Sequence, residues 1–163
     1  MKFVKARAPE AGLSTRAHPH LGVLFERGRR LLNHALLERF RAAGFGDLRD
    51  GHGPLFAFLP ADGARVTKLA ERARVTKQSM GELVTELESL GYVQRTPDLA
   101  DRRAKLVRFT AKGRRAARIG VKAAAAQERA WAELIGPDRV ADLRRSLEEI
   151  TAANNLADRS RIQ

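Results

Sequence analysis

VTKLAERA (residues 66–73), RV (74–75), TKQSMGELVTELESL (76–90) and Gly91 form the stretch whose reading decides the fold. In its longer segment Met80, Leu83, Val84, Leu87 and Leu90 recur at three- and four-residue steps, which makes one apolar helical stripe. The opposite face carries Lys77, Gln78, Gly81, Glu82 and Thr85, donors and acceptors with no bulky apolar group. Two helices joined by so short a turn, the second of them amphipathic, give a helix-turn-helix pattern. Behind the glycine stop comes YVQRTPDLADRRAKLVRFT, residues 92–110, with apolar Val93, Leu106 and Phe109 on its arms. Pro97 and Asp98 open its loop, and Arg102, Arg103 and Lys105 stand at or just after the tip. A short basic β-ribbon beside such a helix can reach the adjacent minor groove, where a narrow A·T-rich stretch attracts arginine. These three signals, in this order, belong on duplex DNA.

In a helix-turn-helix the N-terminal part of the second helix meets base edges in the major groove, here Thr76 to Glu82. Gln78 suits bidentate pairing with adenine, Lys77 suits guanine or a phosphate, and Glu82 can accept from cytosine N4. Ser79 bonds a phosphate or simply sits in the first turn. Gly81 costs a helix interior ~1 kcal/mol relative to alanine, which fits either a close approach to DNA or a tolerated weak spot. The candidate DNA-contacting set is Thr67, Lys68, Thr76, Lys77, Gln78, Ser79, Gly81, Glu82, Arg95, Asp101, Arg102, Arg103 and Lys105.

Outward from this centre, residues 1–17 are basic and nearly free of bulky apolar groups, and read as a mobile arm. From Pro19 to Ala43 the residues Leu21, Leu24, Phe25, Leu32, Leu36 and Phe40 mark a long amphipathic helix. A second helix is expected over roughly Asp47 to Leu59, with Pro54 either kinking it or setting a late start. Thr67 is the expected N-cap of the helix that follows. Past the hairpin, Thr110 is the expected N-cap of an alanine-rich helix running to about Ile135, and Gly136-Pro137 breaks the chain before a final helix with a buried stripe of Val140, Leu143, Leu147 and Ile150. Helices this long and this poor in large apolar groups need a packing partner, most simply another copy of the chain.

Composition narrows the function. The chain has 163 residues, room for one compact domain, and a formal charge of +12 that favours a polyanionic partner. No apolar run approaches the ~20 residues of a membrane span, and no secretory signal is apparent, so a soluble cytoplasmic protein is expected. Cysteine is absent, which removes disulfides, thiolate metal sites and thiol oxidation as a sensing step. His18, His20, His34 and His52 show no metal-ligand spacing, so neither metal nor cofactor is expected. An enzyme is disfavoured: there is no G-x-S-x-G, no phosphate-binding glycine loop and no paired His/Asp constellation. RNA binding is disfavoured because aromatics placed for base stacking are not evident.

The run Leu69-Ala-Glu-Arg72 with Thr76-Lys77, then Leu87-Glu-Ser-Leu-Gly-Tyr-Val-Gln-Arg95, Asp101-Arg-Arg103 and Phe109-Thr-Ala-Lys-Gly113, resembles the MarR family of bacterial transcriptional regulators. The resemblance implies a mainly α fold with a small β-hairpin wing, a winged helix-turn-helix with N- and C-terminal dimerisation helices. It implies one domain over residues 18–157, with the winged helix-turn-helix core at about 48–110 and the dimerisation helices at about 18–43 and 111–157. It further implies that Arg103 enters the minor groove and that Asp101 holds it. Glu82 and Glu86 depart from the family pattern, which more often has basic or small residues there.

The expected function is that of a homodimeric, sequence-specific regulator of double-stranded DNA, a repressor on a pseudo-palindromic operator. Family members are often released by a small anionic aromatic compound lodged between the dimer base and the winged helix. His34, His52, Phe56 and Trp131 are the candidate effector contacts, with Phe45 and Phe58 on bordering elements; for any single one, packing is the commoner role. A ligand-insensitive repressor and an architectural DNA-binding protein are the alternatives. The varied polar reading face argues against the second, because phosphate contacts alone need only positive charge.

Overall fold

The computed structural model describes residues 19–98, 100–101 and 103–160. The arm expected over residues 1–17 and Arg102 lie outside the described residues. Six α-helices and one hairpin follow in order: α1 Leu21–Ala42, a 3-10 turn Asp50–His52, α2 Gly53–Phe58, α3 Val66–Ala73, α4 Lys77–Ser89, β1 Val93–Pro97, β2 Lys105–Phe109, α5 Ala111–Ile135 and α6 Pro137–Ser160. The fold is mainly α with a two-stranded wing, as expected. No helix among the described residues is long and apolar enough to cross a membrane.

The second helix is shorter than the expected Asp47 to Leu59. Proline lacks the N–H that an interior turn would use, and Pro54 stands in the first turn of α2, where that loss is harmless. The 3-10 turn fills the approach. Thr67 is not the N-cap of α3; Arg65 is, and Thr67 lies inside the helix. The reason is long-range: Ala64 exchanges two backbone hydrogen bonds with Val107 of β2, at 3.1 and 2.9 Å. This pins the chain to the wing as far as residue 64, and the helix begins directly beyond it.

Arg74 adopts a left-handed conformation (φ 53°) after α3, and the Val75 N–H returns to the Ala70 carbonyl at 3.1 Å. That closes the turn of the helix-turn-helix. Thr76 then caps α4, its hydroxyl oxygen accepting from the Ser79 N–H at 3.0 Å. Met80, Val84 and Leu87 of the expected stripe have no exposed surface, and Leu83 and Leu90 pack against the same core. Leu55, Leu69, Tyr92, Val93, Val107 and Phe109 complete that core.

The wing pairs Val93 with Phe109, Arg95 with Val107 and Pro97 with Lys105 in antiparallel register. Thr110 caps α5 as expected, accepting from the Gly113 N–H at 3.1 Å while donating to the Gly91 carbonyl at 2.6 Å. A Cβ at Gly113 would stand 1.9 Å from the Tyr92 carbonyl oxygen, so only glycine permits this junction. Burial raises the Tyr92 phenol above its ordinary range, and its bond to Asp47 adds to the effect. Burial pushes the Asp47 carboxyl up, but hydrogen bonds from Tyr92 and from Lys112 (2.9 Å) outweigh it and hold the group low.

α5 packs against α1, with Gly120 leaving room for the Phe40 ring, and α6 packs on α5. The expected buried stripe on α6 is not buried within one chain. Leu143, Leu147 and Ile150 are 48%, 36% and 54% exposed, as are Leu21, Leu24 and Leu31 of α1 and Leu134 of α5 by similar or larger fractions.

Candidate nucleic-acid interface

Helix α4 presents a continuous polar face. Lys77, Gln78, Ser79, Glu82 and Thr85 are exposed along it, with Gly81 half-buried among them and no atom within 4 Å of the position its Cβ would take. Gln78, Gly81, Glu82, Thr85, Glu86, Ser89 and Arg95 line a shallow groove there. At rest the Gln78 amide donates to the Glu82 carboxylate at 3.0 Å. Ser79 is engaged in the first turn, its hydroxyl 2.8 Å from that of Thr76. Thr67 and Lys68 are exposed on α3, and Lys68 pairs with Glu71 at 2.7 Å.

The base of the wing loop is held by a pair that sequence reading missed. Arg65, the residue before α3, donates through Nε and Nη2 to Asp98 Oδ2 at 2.9 and 2.6 Å. The other Asp98 oxygen accepts from the Ala100 N–H at 3.0 Å. The hydrogen bonds from Arg65, then that from Ala100, hold the Asp98 carboxyl below its ordinary value. Asp98 following Pro97 does carry a turn signal, since Asp side chains bond the backbone two residues on. Its partner on another element has no such signal.

The Asp101 carboxylate accepts the backbone N–H of Arg103 at 3.1 Å and lies 3.4 Å from Arg65. Arg103 and Lys105 are exposed at and beside the tip. Arg95 is turned inward instead, ion-paired with Glu88 and donating to the Thr85 hydroxyl at 3.0 Å. It braces the wing against α4.

A second concavity lies between α1, α2, α5 and the 3-10 turn. It is an apolar cavity of about 660 Å³ whose walls include Leu36, Leu37, Phe40, Leu48, Phe56 and Phe58, with Arg29, Asn33, Arg49, Asp50 and His52 as its polar residues. Of the expected effector contacts, His52 and Phe56 line it. His34 and Trp131 do not: His34 is exposed on α1 and Trp131 is half-buried on α5. Phe45 also stands elsewhere, packed on Tyr92 at 6.1 Å. Phe56 serves the core as well, stacked on Phe109 with ring centroids 5.5 Å apart.

His52 is 2% exposed, and its Nδ1 accepts the Arg49 N–H at 3.3 Å. Its Nε2 stands 3.3 Å from Arg49 Nε and 3.1 Å from Glu86 Oε1. The Arg49 guanidinium bonds the same carboxylate oxygen. The bond from Arg49, followed by that from His52, lowers the Glu86 pKa. Arg29 is committed to Glu26 and Asp50, both at 2.9 Å, and its hydrogen bond is the largest cause lowering Glu26 to about 2.

Residues 54–104 match the MarR family. The fold is similar to that of a MarR-family transcriptional regulator from Rhodococcus sp. RHA1, at 26% identity over 80% of this chain and 91% of that one, TM-score 0.63. It is similar to CouR from Rhodococcus jostii RHA1 bound to p-coumaroyl-CoA, at 27% identity over 80% and 91%, TM-score 0.64. A structure of the transcriptional repressor CouR bound to a 23-mer DNA duplex aligns at 24% identity over 80% and 92%, TM-score 0.65. No curated protein matches the sequence significantly. With α3, α4 and β1 inside the matched segment, the central part of the chain matches the MarR family, and its fold is that of MarR-family winged helix-turn-helix transcriptional regulators.

Proposed function

We propose that the chain is a homodimeric, cytoplasmic repressor that binds a pseudo-palindromic operator in double-stranded DNA and leaves it when a small anionic compound with an aromatic body occupies the apolar cavity. The observation that carries the reading is the pairing of an exposed, chemically varied face on α4 with an exposed arginine at the tip of the adjacent wing. One supplies base discrimination and the other minor-groove attraction. The exposed apolar residues of α1, α5 and α6 support dimerisation, because surface of this kind marks an association site. CouR, with its DNA-bound and p-coumaroyl-CoA-bound structures, lends the analogy for both partners.

In the proposed complex Thr76, Lys77, Gln78, Ser79, Gly81 and Glu82 face the major groove, Thr67 and Lys68 lie at its edge, and Arg103 and Lys105 enter or border the minor groove. Selection from a random duplex library tests this. The expected product is an inverted repeat with half-sites about 10 bp apart, centre to centre. Enrichment of no sequence at all would mean a protein that coats DNA.

A further inference from the structure

The cavity and the reading helix share one charged joint. Arg49 and His52 line the cavity, and both bond Glu86, which belongs to α4 and also lines the groove on its outer face. The two cavity arginines differ in what holds them. Arg29 is neutralised by Glu26 and Asp50, and Asp50 is further held by Asn33. The carboxylate bonded to Arg49 is that of Glu86. An anion entering the cavity therefore competes most directly with Glu86. α4 is held besides by the apolar stripe of Met80, Val84 and Leu87, which is not directional, and on its wing side by Arg95 on Glu88 and Thr85. The Glu86 bonds to Arg49 and His52 are its charged tie to the cavity side, and without them the helix can shift on the stripe about its wing-side anchor.

We propose that the Arg49, His52 and Glu86 triad is the link through which cavity occupancy reaches the DNA-reading face. A carboxylate on the ligand takes the Arg49 guanidinium beside His52, Glu86 is released, and α4 loses its charged tie to the cavity side while the wing-side tie through Arg95 stays, so its angle over the major groove changes. This rests on the reading of the cavity as the effector site. The ligand then has what any effector needs, a higher affinity for the released arrangement than for the DNA-bound one. Linkage makes the effect reciprocal, so bound operator weakens the ligand by the same factor.

The test uses the full chain, a duplex obtained by selection and a scrambled duplex, with cinnamate as the anionic probe and cinnamamide as its neutral counterpart. In wild type, saturating cinnamate is expected to lower operator affinity about tenfold or more, and cinnamamide less than about twofold. Glu86→Gln without any probe is expected to lose about tenfold in the ratio of operator to scrambled affinity at unchanged melting temperature, and to respond to cinnamate less than about twofold. Glu86→Asp, which keeps the charge, should recover part of that ratio. A wild-type ratio in Glu86→Gln overturns the link whatever cinnamate does. A lost ratio in the variant with no cinnamate response in wild type leaves the tie on α4 standing and overturns the effector reading and the ligand's part in the proposal.

Discussion

Gly113 decides whether the wing and α5 can meet at all. A methyl group there falls on backbone, the Tyr92 carbonyl, which cannot swing aside as a side chain end would. Gly113→Ala should therefore destabilise the fold by about 3 kcal/mol, the upper part of the range for overpacking, as read by urea unfolding. A loss under about 0.5 kcal/mol would mean the junction is looser than it looks. Sequence carried this glycine as part of a spaced motif, but its reason lies in a contact with a residue on the far side of the hairpin. Gln78 shows the reverse case, a side chain whose type and helical position were legible from the start. Its amide rests on Glu82 and must leave it to pair with a base. Gln78→Ala should relax discrimination at one operator position by ~1 to 3 kcal/mol, measured on single-base operator variants. Equal losses on operator and random DNA would make Gln78 a phosphate contact.

Among the elements, α4 was legible because its core residues repeat at the helical period and three of them are fully buried. Of the four residues read as effector contacts, His52 and Phe56 line the apolar cavity and His34 and Trp131 do not. His34 is two positions from Leu36, about 200° round a helix of 3.6 residues per turn, and so faces away from the cavity wall. Trp131 lies seven residues beyond Ala124 on α5, about 10 Å along the axis at 1.5 Å per residue. The wing is where pairing across elements matters most and where sequence said least. Asp98 ties it to Arg65, and its folded pKa is depressed. Such a group stabilises above the ordinary carboxylate value of about 4 and loses that contribution as pH falls through the depressed folded value. Asp98→Asn should lower the melting temperature at neutral pH, and the gap from wild type should close as pH drops below about 4. A gap that stays constant with pH would show that the ionised carboxylate is not what holds the wing.

For the whole molecule, apolar exposure and charge set the expectations. Leu143 is 48% exposed on α6, in line with Leu147 one turn on, and a helix face like this in one chain asks for another. Periodicity found that stripe but could not say whether it is covered within the chain or between chains. Leu143→Glu should leave helicity by circular dichroism intact while shifting sedimentation at micromolar concentration from dimer to monomer; a dimer that persists would move the interface elsewhere. The central claim is that two copies read one operator, each with α4 in the major groove and its wing in the flanking minor groove. Footprinting the selected operator with a guanine-N7 probe and with hydroxyl radical, for wild type and Arg103→Ala, tests it most directly. The predicted pattern is two-fold symmetric, with major-groove protection in both half-sites for both proteins and loss of only the outer minor-groove protection in the variant. Protection confined to one half-site, or outer minor-groove protection that survives Arg103→Ala, would contradict it.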